Sequence, residues 1–237
     1  MELCIFNKIE DDLCIKGILE KDNVIVLRNI IEFSETEGVT SSAIKEYVAT
    51  RLANDDNILS RLAQAGKFIG DDLYRLAKFD IEQIYKKLFS TQIKYAPSGN
   101  PIGFSNGYVA SIRAITESKS AQELLDLLIE HYRKFGSGIL AKYNAFRYDG
   151  ELIGVTNTDD ITFDSLVGIE YQKQVLIDNT KAFVSGKAAN NVLLFGDRGT
   201  GKSSSVKALL NMFCDDGLRI IEMPKHCIKD IPSLSKV

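Results

Sequence analysis

The chain has no tryptophan, two histidines, four prolines and four cysteines among 237 residues. Two histidines exclude a His-rich metal site, and four cysteines without a C-x-x-C spacing exclude a zinc ribbon or a disulfide framework. Cys4 and Cys14, each in a Leu-Cys-Ile triplet, read as small buried hydrophobes of a reducing compartment. No run of 18 uncharged apolar residues occurs, so nothing is expected to span a membrane. The start, MELCIFNKIEDDLCIKG, carries acidic residues where a secretory signal needs a positive segment followed by an apolar one. Nor is there an excess of either charge. Twenty-nine basic residues against 32 acidic ones leave a net charge of −3, which excludes a basic nucleic-acid coat and an acidic disordered tail. What is present, 45% hydrophobic residues with 12 Phe and 9 Tyr, suffices for an ordinary globular core. The length fits one large domain or two modest ones, and the expected location is the cytoplasm.

Helical periodicity dominates before residue 150. Asp80-Ile81-Glu82-Gln83 reads as a capping box opening a helix whose stripe is Ile81, Ile84, Tyr85, Leu88 and Phe89. A second helix is predicted from an N-cap at Ser120, with Glu123 three residues on and a stop at Gly136. Weaker helical patterns cover 24–33, 41–52 and 73–78, and 95–107, rich in Pro and Gly, reads as a loop. Tyr143, Phe146 and Tyr148, then Asp149-Gly150, then Leu152, Ile153 and Val155 give the pattern of a β-hairpin. The domain boundary is placed in the polar stretch 154–160, with a helical region over 1–155 and an α/β module over 156–237.

One segment carries chemistry. Val192-Leu193-Leu194-Phe195 reads as a buried parallel strand. It runs directly into Gly196-Asp197-Arg198-Gly199-Thr200-Gly201-Lys202-Ser203, which satisfies G-x-x-x-x-G-K-[ST]. Ser204 onward is helix-compatible, with Val206, Leu209, Leu210 and Phe213 on one side. Glycines let consecutive N–H groups converge on a phosphate, and the helix start adds further donors. Lys202 is the expected ligand of the β- and γ-phosphates, and the Ser203 hydroxyl that of Mg²⁺. With glycine near 7% of residues, the four fixed positions should arise by chance in roughly one chain of this length in a hundred. ATP and Mg²⁺ are the expected ligands.

About thirty residues before this loop, Ile161-Thr162-Phe163-Asp164-Ser165-Leu166-Val167-Gly168-Ile169-Glu170 and a following helix to Val184 and Gly186 resemble the lead-in segment of AAA+ ATPases. That resemblance implies that Val167 and Gly168 contact adenine. More narrowly, AKYNAFRYDG, FDSLVGIEYQKQVLIDNT, NNVLLFGDRGTGKSSSVKALL and LRIIEM are similar to the bacterial family catalogued as domain of unknown function 815. The resemblance implies an ATP-binding protein with a helical N-terminal part and one AAA+ module, ATPase activity, a protein partner and a homo-oligomer.

The sequence departs from the AAA+ pattern after the phosphate loop. A Walker B strand ending in Asp-Glu, a sensor and an arginine finger are not found, so the chain reads as a fragment that binds ATP and hydrolyses little or none. Glu222 lacks a preceding Asp and is followed by Met223-Pro224, a poor Walker B acid. Competing readings are a small-molecule P-loop kinase and a helical scaffold with a vestigial loop. A GTPase lacks its Asn-Lys-x-Asp guanine reader here. A DNA-recognition helix over 40–54 would have only Lys45 and Arg51 as readers, beside acidic flanks, which argues against nucleic acid as a partner. Tyr143, Phe146, Arg147 and Tyr148 read as packed strand residues before a base-stacking surface. His131, near an apolar helix face, is expected to be packed, and His226 receives no role.

Overall fold

In the computed structural model, residues 1–38, 42–89, 106–156 and 158–234 are described. They form two compact units, Met1–Lys142 and Tyr143–Val237, one helical and one mixed.

The helical unit starts from two aspartates. Asp12 accepts from the Ile15 N–H (3.0 Å) and opens α1 (Leu13–Glu20). Asp22 accepts from Val24 and Ile25 and opens α2 (Asn23–Glu37). Each relieves N–H groups that have no partner within the first turn. The helices lie close because Gly17 faces Ile25 and Val26; a Cβ there would stand 3.0 Å from Val26 Cγ2.

Then follow α3 (Ala43–Ala53), α4 (Ile58–Gln64), and α5 (Asp71–Ile84) with a π-helical turn over Tyr85–Phe89. The unit is completed by α6 (Asn106–Thr116), α7 (Ala121–Phe135) and the short α8 (Ile139–Lys142). At α7 the expected start and stop are both present. Ser120 Oγ accepts from Glu123 N–H at 3.1 Å, Glu123 reaches back to Lys119 N–H, and Gly136 takes φ +78°.

Helix α3 is buried on nearly every side, through Ile44, Tyr47, Val48, Leu52 and the alanines between them. Of the two basic residues on it, Lys45 is half-buried and Arg51 exposed. Arg51 is committed within the unit, 3.2 Å from Asp12 and 3.0 Å from the Tyr47 hydroxyl. Burial and the hydrogen bond to Asp12 push the Tyr47 phenol well above the ordinary tyrosine range. Tyr132 of α7 donates to the Leu52 carbonyl at 2.5 Å, tying the last long helix to the central one.

Asp80 does not cap a helix. Helix α5 begins nine residues earlier, and Asp80 lies inside it, fully buried. Its carboxylate accepts from three consecutive main-chain N–H groups: Cys4 (2.9 Å), Ile5 (2.6 Å) and Phe6 (3.1 Å). The acceptor that the pattern assigns to a local helix start thus serves a segment more than seventy residues away. Cys14 is buried as expected, and burial pushes its thiol up to about 12; Cys4 is exposed, since the backbone of this segment rather than its cysteine is held inside. Most of the predicted loop 95–107 lies outside the described residues, and its last two positions begin α6.

In the mixed unit, β1 (Ala145–Tyr148) pairs antiparallel with β2 (Leu152–Gly154), with Gly150 at φ +83° in the turn. Helix α9 (Glu170–Val184) and helix α10 (Lys202–Phe213) follow, then β3 (Ile220–Glu222) and the short α11 (Ile231–Leu234). β3 pairs parallel with β1, giving the order β2-β1-β3. The hairpin therefore belongs to the second unit and not, as the sequence suggests, to the helical one, because its central strand has its second partner there. Phe146 and Tyr148 point into this unit's core, while Arg147 faces out beside Glu222 (3.6 Å).

The strand expected over Val192–Phe195 is not in this sheet. Val192, Leu193 and Phe195 are exposed, and no described strand runs beside them. A strand exists only where a neighbour completes its ladder. The segment is instead tethered at Asn190, whose N–H and C=O both bond the Asn179 side-chain amide of α9 (2.8 and 2.9 Å).

Two tests follow from the helical unit. Asp80→Ala leaves three inward N–H groups without their acceptor and should lower unfolding stability by about 3 kcal/mol or more, read by urea titration, whereas Asp80→Asn keeps one oxygen and costs less. His131 of α7 is buried, with Ser111 Oγ 2.9 Å from Nδ1 and no partner at Nε2 among the described residues. Burial pushes its pKa down from 6.5 to about 4. Below the unfolded value the unfolded chain takes up a proton that the folded chain refuses. The stability held by neutral His131 is therefore complete above about pH 6.5 and falls by about 3 kcal/mol on acidification to about pH 4. Urea titrations of His131→Leu should show a correspondingly flatter pH dependence than the parent over that interval.

Candidate functional site

The loop Gly196–Lys202 is built from three glycines in the left-handed half of backbone space: Gly196 (φ +139°), Gly199 (+85°) and Gly201 (+81°). A side chain at these angles is strained, which is the local reason for glycine at each of the three. Thr200 Oγ1 donates to the Asp197 carbonyl at 2.9 Å and closes the loop on itself. Gly201 is the N-cap of α10, and the first-turn N–H groups that follow have no intrahelical acceptor. Ser205 Oγ donates to the Gly201 carbonyl at 2.9 Å and pins the cap from below.

Lys202 turns back over this ring. Its Nζ donates to the carbonyls of Gly196 (2.9 Å) and Asp197 (2.6 Å) and lies 3.2 Å from Thr200 Oγ1. The ammonium is thereby held at the centre of the loop by neutral oxygens, with no carboxylate among these partners. Asp197, Arg198, Gly199, Thr200 and Ser203 are exposed, while Lys202 and Ser204 are half-buried. The concentration of donors is what an anion needs: an ammonium and a helix start, both reachable from solvent.

The lead-in segment lies against the same helix. A Cβ on Gly201 would stand 3.6 Å from Leu166 Cδ2 and 4.0 Å from Ile169 Cδ1. Asn211 of α10 donates to the carbonyls of Asp159 and Ile161, both at 2.9 Å, and Lys207 forms an ion pair with the Asp159 carboxylate. Phe163 is buried and anchors a 3-10 turn over Phe163–Ser165. Between Leu166 and Ile169, Val167 is 89% exposed and Gly168 takes φ +84°. Through Leu166 and Ile169 the fold thus brings the two sequence-predicted groups, Val167 with Gly168 and the loop 196–204, into one neighbourhood. It also supplies the residues that hold them there, Asp159, Lys207 and Asn211, which sequence reading missed because their partners lie about fifty positions away. Glu222, considered as an acid for Mg²⁺, faces Arg147 across the parallel register.

Among the described residues, no helix is long and apolar enough to cross a membrane. No curated protein and no solved structure matches this chain. Residues 141–237, which begin two positions before the mixed unit, match the family described as "Protein of unknown function (DUF815)".

Proposed function

We propose that the mixed unit binds ATP with Mg²⁺ through Gly196–Ser204, as the nucleotide-binding part of an AAA+-type ATPase. The observation that carries this reading is the Lys202 ammonium, centred on a ring of positive-φ glycines at the start of α10 and held there by neutral oxygens, two carbonyls and the Thr200 hydroxyl. A phosphate chain offers charged oxygens in place of neutral ones. Lys202 therefore gains from exchanging its partners, and the exchange needs no rebuilding of the loop. The main-chain N–H groups of the loop and of the first turn of α10 would hold the remaining phosphate oxygens.

Ser203, exposed on the first turn of α10, would hold Mg²⁺. The metal would neutralise charge shared by the terminal phosphates. Val167 and Gly168 would receive the adenine: Val167 offers apolar surface, and Gly168 turns the chain without adding a side chain over it. Leu166 and Ile169 seat this turn against Gly201, so base and phosphate contacts are fixed to one helix. Asp197 and Arg198 line the outer rim of the loop. Hydrolysis is expected to be slow, because the sequence offers no Asp-Glu strand end to hold the metal and activate water, and Glu222 lies on β3 with Arg147 of β1 as its partner.

Calorimetric titration with magnesium-ATP tests the proposal. Saturable binding near one equivalent is expected. Lys202→Ala should weaken it about ten- to a hundredfold, the value of a hydrogen-bonded charge, with the circular dichroism unchanged. Absence of heat with the parent chain, or equal affinity in Lys202→Ala, overturns it.

A further inference from the structure

A second site, sharing no residue with the phosphate loop, lies at one end of the small sheet. Asp149, His226 and Cys227 each bring a ligating atom (a carboxylate oxygen, a ring nitrogen and Sγ) to within 4.8 Å of the other two. Strand order explains the juxtaposition. β1 and β3 are parallel neighbours, so their C-terminal ends leave the sheet on the same side. Asp149 is the first residue after β1. Met223-Pro224 carry the chain from β3 into a 3-10 turn over Lys225–Asp230, where the Cys227 N–H bonds the Pro224 carbonyl at 2.9 Å. Cys227 is buried, while His226 and Asp149 are exposed.

The donor set discriminates among metals. Mg²⁺ and Ca²⁺ take oxygen ligands, whereas a thiolate with an imidazole and a carboxylate suits Zn²⁺. Tetrahedral zinc, with bonds of about 2.0–2.3 Å, places its ligand atoms roughly 3.3–3.8 Å apart. Rotation of the two exposed side chains, Asp149 and His226, closes the remaining gap while the buried thiol stays in place. The geometry points to a Zn²⁺ site formed by Asp149, His226 and Cys227, with water in the fourth position. The metal would clamp the β1–β2 turn to the segment after β3, joining by ligands two stretches that the sheet brings side by side.

Cobalt titration of the reduced, metal-free 237-residue chain reads this directly. One equivalent of Co²⁺ should produce a near-ultraviolet thiolate-to-cobalt charge-transfer band with visible bands of tetrahedral intensity, and Zn²⁺ should displace both. Cys227→Ser should abolish the charge-transfer band. His226→Gln and Asp149→Asn change exposed residues, should leave the circular dichroism unchanged, and should weaken binding at least tenfold. Cys4→Ser, Cys214→Ser and Lys202→Ala should leave the spectrum as in the parent. A parent chain without the band, a band carried by Cys4 or Cys214, or full affinity in both His226→Gln and Asp149→Asn overturns the assignment.

Discussion

A main-chain N–H or C=O outside a helix or strand ladder needs another partner, and at several such places this chain supplies one from a side chain. Asp80 receives three successive N–H groups of the N-terminal segment, and Tyr132 bonds the carbonyl at the end of the central helix α3. Asn179 satisfies both main-chain groups of Asn190, and Asn211 caps two carbonyls of the segment that precedes α9. Lys202 does the same for two carbonyls of the glycine loop. In the first four cases the partner fastens one piece of backbone to another. In the last the bonds stay within one loop, between Lys202 and carbonyls five and six residues before it.

That difference separates scaffold from site. The helical unit is closed by buried contacts around Tyr47, Leu52 and Tyr132, with polar groups such as His131 held neutral inside. The mixed unit keeps its glycine loop open to solvent and fixes only what lies beneath it: Ser205 under Gly201, Leu166 and Ile169 beside it, Lys207 and Asn211 along α10. The loop itself is exposed, so its shape is set by glycine dihedrals and by the helix it opens rather than by packing.

Local signals were legible where the interaction that decides a structure is itself local. Ser120 and Gly136 delimit α7 because a cap bond spans three residues and a left-handed turn spans one. The Asp149-Gly150 turn and the glycines of the loop 196–201 are readable for the same reason. Asp80 misled because aspartate before an apolar stripe is a good helix start, yet a fully buried carboxylate is worth more to distant N–H groups than to a cap exposed to water. The Val192–Phe195 run misled because apolar content states what a segment can bury and not whether a neighbouring strand is there to bury it.

From sequence alone come the helical character of the chain before about residue 150, the α7 boundaries, the hairpin and the glycine-lysine loop, each set by contacts within a few positions of chain. The tertiary structure decided which unit owns the hairpin, where Asp80 spends its charge, how the 166–169 turn meets Gly201, and that Asp149 stands beside His226 and Cys227. These depend on strand pairing and packing between residues tens of positions apart, and no periodicity in a single chain encodes which distant partner a backbone group or a side chain will meet.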